Sequence, residues 1–212
     1  MNLWVFDNDN TLYDRSAAEV EFTRAFWEYF ASFSRLRPDL VVDKISELKR
    51  KWKTEFSLIC VMKEYGLDFT EIVKNTYLKM DVRRCEVPVP DLAKRIVLDS
   101  LYGRKVVFTN GPSAYARLIL SHIGLMQNFS DVVGMEEMDF FLKPDPRSYL
   151  SVETRNPGFE KIIFCDDSLE NLEGARLRGW TTVWFNPNGI RSDNVCDRHI
   201  VISSFEQLEA IA

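Results

Sequence analysis

Leu3-Trp4-Val5-Phe6-Asp7-Asn8-Asp9-Asn10-Thr11-Leu12 is an apolar run that stops at two carboxylates separated by one residue, then turns polar and small. An apolar run without alternation reads as a strand covered on both faces, as in a parallel sheet packed under helices. Asp7 and Asp9 then emerge at the carboxyl end of that strand, where open α/β sheets place their ligands. Taken alone the stretch admits a second reading, because Asp and Asn also favour turns.

Outward from this strand the pattern changes at once. Residues 15–88 show no strand alternation and read as a helical insertion. Ser16 to Ser34 carries Phe22, Phe26 and Phe30 on one helical stripe. Val41 to Tyr65 is expected to be one continuous helix, with Ile45, Leu48, Trp52, Phe56 and Ile59 at three- and four-residue steps and Gly66 as its stop. Thr70 to Met80 reads as a further helix capped by Asp68 or Thr70. Trp27, Phe30, Trp52, Phe56 and Tyr65 have the spacing of core aromatics, and Lys49-Arg50-Lys51 with Lys53 that of a solvated helix face. Val87-Pro88-Val89-Pro90 reads as a hinge, since the prolines break helix and favour extended backbone.

Beyond the hinge, strand and helix alternate. Strands are expected at Lys105–Phe108, Asp131–Gly134, Lys161–Cys165, Thr181–Phe185 and His199–Ile202. Helices are expected at Asp91–Leu101, Ser113–Ile123, Arg147–Glu153, Leu169–Arg178 and Phe205–Ile211. This order predicts an α/β fold: a Rossmann-like parallel sheet with helices on both faces and an inserted all-helical domain. The expected division is 1–14 with 89–212 for the sheet domain and 15–88 for the insertion, which would sit over the sheet's carboxyl edge.

The composition of the 212-residue chain is that of a globular protein, and its formal charge of −5 offers no electrostatic case for a nucleic acid polymer or an anionic membrane. No apolar run approaches the roughly 20 residues that span a bilayer. The expected setting is the cytoplasm. The four cysteines form no Cys-x-x-Cys pair, which fits reduced thiols and argues against a zinc cluster.

Three strand ends carry the chemistry. The first offers Asp7 and Asp9, the second Thr109-Asn110-Gly111 before a helix start, and the fourth Asp166 and Asp167, again before a helix. Lys143 comes from the loop Phe140 to Pro146. Carboxylates crowded at one edge repel one another unless a cation neutralises them, and a hard divalent ion with oxygen ligands, Mg²⁺, suits this set. The turn at Thr109 to Gly111 presents a hydroxyl and backbone N–H groups at a helix start, a natural anion site. Cation, anion cradle and carboxylate together point to phosphoryl chemistry. Each part also has a plain alternative: Thr109 and Ser168 as helix caps, Lys143 as a surface lysine, Asp166 and Asp167 as a turn.

The ordered set Asp7-x-Asp9-x-Thr11, Thr109-Asn110-Gly111, Lys143-Pro144 and Asp166-Asp167 resembles the haloacid dehalogenase superfamily in its phosphatase branch. The helical insertion after the first motif resembles the C1 cap of subclass I. The run Asp9-Asn10-Thr11-Leu12-Tyr13 with the double-Asp motif is most similar to the pyrimidine 5′-nucleotidase group. The resemblance implies that Asp7 is a nucleophile forming an aspartyl-phosphate and Asp9 the general acid and base. It implies a Mg²⁺ site of Asp7, the Asp9 backbone carbonyl, Asp167 and, directly or through water, Asp166. It further implies phosphate contacts from Thr109, from Lys143 and from the backbone N–H groups of Asn8, Asn110 and Gly111. Asn171 would support the metal ligands from one helical turn away. The insertion would close over the site and select substrate. The implied activity is Mg²⁺-dependent hydrolysis of a small phosphorylated metabolite such as a nucleoside 5′-monophosphate, by a monomer or weak homodimer. The alternatives are a phosphatase or phosphomutase for sugar phosphate or phosphoglycolate, and a non-catalytic protein that binds a phosphorylated ligand.

Overall fold

Strand β1 (Asn2–Phe6) lies between two parallel neighbours, which explains its unbroken apolar character: Leu3, Trp4, Val5 and Phe6 are all fully buried. A computed structural model describes residues 1–85, 91–191 and 198–211. The proposed hinge at 87–90 and Cys196 lie outside these residues. The remaining strands are β2 (Arg104–Phe108), β3 (Asp131–Val133), β4 (Lys161–Asp166), β5 (Thr181–Phe185) and β6 (Ile200–Ile202). They form a six-stranded sheet in the order β3-β2-β1-β4-β5-β6 with every pairing parallel. β1 and β4 run in register from Asn2 opposite Lys161 to Phe6 opposite Cys165, so the Asp7 and Asp166 positions end side by side.

Period-two alternation sends β1 side chains to two cores. Trp4 and Phe6 share one face, where Phe6 meets Phe129 and Phe205 with ring centroids 6.0 and 5.9 Å away. A second aromatic group joins Phe108 of β2, Phe164 of β4, Tyr149 and Trp180, with centroids 5.5 to 6.4 Å apart. Such contacts add to simple area burial. The sheet's helices are α5 (Leu92–Ser100), α6 (Ser113–His122), α7 (Pro146–Arg155) and α8 (Leu169–Arg176), the first capped by Asp91 and the last by Ser168. The short closing helix expected at the end is a 3-10 helix over Phe205–Ala210 with a Ser204–Gln207 capping box.

The chain divides into two compact units, 1–15 with 87–212 and 16–86. Among its described residues the second unit is helical: α1 (Ser16–Ser34), α2 (Pro38–Trp52), α3 (Ser57–Tyr65) and α4 (Phe69–Asn75). Phe26 and Phe30 of the predicted stripe are buried, while Phe22 packs against Tyr77 at 4.7 Å. The single helix expected over Val41 to Tyr65 is instead two. Lys53 adopts a left-handed conformation (φ 50°, ψ 50°) and ends α2, and the Thr54 hydroxyl accepts the Phe56 N–H in the turn that follows. The reversal lets Lys51 Nζ and Trp52 Nε1 both donate to Glu64 on α3, at 2.6 and 2.9 Å. The helix expected over Thr70 to Met80 also ends early, at Asn75. Thr76 leaves helical geometry (φ −118°, ψ −84°) while its hydroxyl donates to Ile72 O at 2.7 Å, and a 3-10 turn follows over Tyr77–Lys79. Among the described residues no helix is long and apolar enough to cross a membrane.

Candidate active site

The carboxyl ends of β1, β2 and β4 converge on the ammonium of Lys143. Its Nζ donates to Asp7 Oδ1 at 2.6 Å, to Asp166 Oδ2 at 2.9 Å and to the carbonyl of Phe108 at 2.8 Å. The rings of Phe108 and Phe164 flank the same nitrogen at 4.9 and 5.2 Å, and the side chain is 1% exposed. Lys143 is therefore no surface lysine. Burial pulls its pKa down, but Asp166 and Asp7 outweigh burial and hold the ammonium above its usual range.

The sequence placed Lys143 in a loop without saying how the loop is fixed. Asn110 does it: its Nδ2 donates to Lys143 O at 3.0 Å and its Oδ1 accepts the Lys143 N–H at 2.8 Å. Downstream, Asp145 caps α7 through the Arg147 N–H, and Arg147 holds its carboxyl down to about 2. Thr109 is not a helix cap, since Pro112 occupies that place. Its Oγ1 accepts the Gly111 N–H at 3.0 Å, so one amide of the expected anion cradle is turned onto the threonine. The cradle is held from behind by Glu136, which accepts from the Ser113 hydroxyl at 2.6 Å and from the Ser113 N–H. A Cβ placed on Gly134 would meet Ser113 N at 2.4 Å and Gly111 O at 2.9 Å. Gly134→Ala is therefore expected to displace this turn and to cost ~1–3 kcal/mol, the usual scale of overpacking, measured as a lower urea midpoint.

The two acidic neighbours at the end of β4 differ sharply. Asp166 is fully buried and satisfied: Lys143 Nζ, the Ser168 N–H and Asn171 Nδ2 all donate to it. Asn171 thus acts on Asp166 and not on Asp167. Asp167 is half-buried, and burial together with Asp166 raises its pKa to about 6 against a weaker opposing bond from Asn10. Trp184 Nε1 fixes its backbone through the Asp167 carbonyl at 2.9 Å. Burial also lifts the Asp7 carboxyl well above its usual range, with Lys143 opposing and Asp166 and Asp9 adding to the rise.

One carboxylate oxygen from each of Asp7, Asp166 and Asp167 falls within 4.8 Å of the others. Lys143 supplies a single positive charge to this group, so negative charge remains in excess. The donors are all hard oxygens, which fits a hard divalent cation. The Asp9 side chain stands outside the cluster. Its Oδ1 instead accepts from Tyr13 Oη at 2.5 Å and from Asn8 Nδ2 at 3.2 Å. The Asn8 side chain is fully buried beneath the site, with Oδ1 lacking a partner. A cavity of about 550 Å³ opens beside Asp167, lined by Asn10, Thr11, Tyr13, Trp184 and Asn188 among others.

Tyr115, Glu136 and Trp184 carry no signal in the sequence. Tyr13 stands there only as the end of the run Asp9 to Tyr13, with no role attached to it.

A haloacid dehalogenase-like hydrolase family model matches residues 1–178. The pyrimidine 5′-nucleotidase PynA of Streptococcus pneumoniae is 26% identical, over 96% of this chain and 92% of its own length. The (S)-2-haloacid dehalogenase of a Pseudomonas strain is 25% identical over 64% of this chain, and the match spans 58% of that protein. A HAD phosphatase from Thermococcus onnurineus shares the fold with a TM-score of 0.71 at 23% identity, covering 100% of this chain and 97% of its own. With the match running through all three strand ends and the Lys143 loop, this chain belongs to the haloacid dehalogenase-like hydrolases.

Proposed function

We propose that the protein is a Mg²⁺-dependent phosphatase for a small phosphomonoester, with a nucleoside 5′-monophosphate as the substrate class. The observation that carries this is the joint placement of Asp7, Asp166 and Asp167 about one lysine, with their carboxylate oxygens within 4.8 Å of each other. The similarity to a pyrimidine 5′-nucleotidase across nearly the whole chain supports the substrate class. The cavity beside Asp167, at about 550 Å³, is of a size for a small metabolite.

Asp7, Asp167, Asp166 and the backbone carbonyl of Asp9 would hold the cation, which supplies charge neutralisation between the nucleophile and an anionic substrate. Asp7 attacks phosphorus, and the bond from phosphorus to the ester oxygen breaks. Asp9 gives its proton to the departing oxygen, then takes one from the water that hydrolyses the aspartyl-phosphate. Lys143 offsets repulsion between Asp7 and the incoming phosphate. Thr109 and the Asn110 N–H hold phosphate oxygens, while the Gly111 N–H stays on Thr109 Oγ1.

Phosphate release should be measured from panels of nucleoside monophosphates and sugar phosphates, with Mg²⁺ and with EDTA. We expect activity that EDTA removes and added Mg²⁺ restores. Undiminished activity in EDTA would exclude the cation from the reaction. A preference for sugar phosphates would retain the chemistry and replace the substrate class. Asp9→Asn should slow turnover by about a hundredfold or more, the scale of a lost general acid–base. A near-normal rate in that variant would remove Asp9 from proton transfer.

A further inference from the structure

We infer that Tyr13, backed by Tyr115, is the positioning residue that aims the Asp9 carboxylate for proton transfer. The inference rests on the phosphatase reading and adds to it a role for two tyrosines to which that reading gives none.

The geometry starts with the turn after β1. Asn10 takes a left-handed conformation (φ 61°), and the Leu12 N–H reaches back to Asn8 O at 3.0 Å. This brings Tyr13 over Asp9, where its hydroxyl lies 2.5 Å from Oδ1. The Tyr13 hydroxyl also lies 2.6 Å from that of Tyr115, which comes from the first turn of α6. Both rings are buried, at 3% and 5% exposure.

The directions of these bonds follow from the acceptor at the end. Asp9 Oδ1 accepts whether the carboxyl is ionised or carries its proton on Oδ2. Tyr13 has one proton to donate, and Oδ1 accepts that hydrogen bond. The proton between the two phenols must then come from Tyr115. The result is a directed chain, Tyr115 to Tyr13 to Asp9, in which each bond polarises the next.

Packing alone does not require this chain. Two buried hydroxyls cost free energy unless they are bonded, and phenylalanine would fill both positions without that cost. What the hydroxyls provide is a fixed carboxylate. The bonds from Tyr13 and Asn8 both fall on Oδ1, which assigns proton exchange with the substrate to Oδ2. A general acid must be held to within a fraction of an ångström, because a 1 Å misplacement costs on the order of a hundredfold.

The test uses leaving groups that differ in their need for a proton. A dinitrophenolate departs unaided, whereas the alkoxide of glycerol phosphate does not. The quantity kcat/KM reports the steps up to departure and not the later hydrolysis of the aspartyl-phosphate. For Tyr13→Phe we expect kcat/KM to fall about tenfold or more on glycerol phosphate and less than about threefold on dinitrophenyl phosphate, with the loss in kcat and not in KM. Tyr115→Phe should show a smaller loss with the same ordering. On the alkyl ester the double variant should lose less than the product of the two single losses, because the Tyr115 hydroxyl reaches Asp9 by way of Tyr13. Should Tyr13→Phe fail to fold, Tyr115→Phe carries the same comparison.

Equal losses on the two esters would overturn the inference and leave Tyr13 a purely structural residue. So would no loss on either ester. A wild-type protein that hydrolyses neither these esters nor any of the nucleoside monophosphates and sugar phosphates, or that keeps its activity after Asp7→Asn, would overturn the phosphatase reading and this inference with it. The wild-type and Asp7→Asn controls thus separate the two failures.

Discussion

Asp7→Asn is expected to abolish phosphate release, by at least about 10⁴-fold, without unfolding the protein. The amide is nearly isosteric with the carboxylate but cannot form the aspartyl-phosphate. The stability side follows from the sign of the Asp7 shift. Burial raises its folded pKa well above the unfolded value. A carboxyl shifted in that direction destabilises the fold once pH exceeds its unfolded pKa, because the ionised form is the one that burial disfavours. At neutral pH the substitution removes this cost, and Lys143 retains Asp166 as a partner at 2.9 Å. The thermal midpoint of the cation-free protein should therefore hold steady or rise while activity disappears. A variant that loses both would point to a structural role for Asp7. One that keeps its activity would remove it as nucleophile.

Lys143→Met should have the larger effect on stability. It leaves Asp7 and Asp166 facing each other without their shared ammonium, and both are buried. Removing one partner of a buried ionic cluster typically costs ~3–5 kcal/mol, because the remaining charge is uncompensated. Urea unfolding should show a loss of that order, and turnover should be lost as well. The same change made on the Asp7→Asn background should cost less, since one of the two carboxylates is already neutral. Equal costs on the two backgrounds would show that the Lys143 stem, packed between Phe108 and Phe164, matters more than its charge. Lys143→Arg should not restore activity. A planar guanidinium does not fit a slot built for a compact ammonium between rings 4.9 and 5.2 Å from the nitrogen.

Much of this was legible in the sequence. Local patterns carry local information: an apolar run ending in Asp7 or Asp166 declares both the strand and the edge at which it stops. The parallel order then brings those edges together, which is why Asp7, Lys143, Asp166 and Asp167 could be grouped beforehand. The break at Lys53 was not legible. Leu48, Trp52, Phe56 and Ile59 keep helical spacing straight through it, so periodicity sees one helix where tertiary contacts with Glu64 make two. The roles of side chains within the motifs were also hidden. Nothing in Thr109-Asn110-Gly111 states that the asparagine holds the backbone of Lys143. The Tyr13–Tyr115 pair joins positions 102 residues apart, a separation at which a single sequence carries no pairing signal.

The strand order has a consequence for how the chain reaches this state. β1 is synthesised first yet lies between β2 and β4, so its partners leave the ribosome only after the whole 16–86 unit. The helices of that unit meet partners nearby in sequence, as Lys51 and Trp52 do with Glu64. Contacts of that range form quickly, whereas pairing Asn2 with Lys161 must close most of the chain into a loop. During synthesis the insertion can settle while β1 waits as an exposed apolar segment, and the strand that carries Asp7 becomes structured only when the second half arrives.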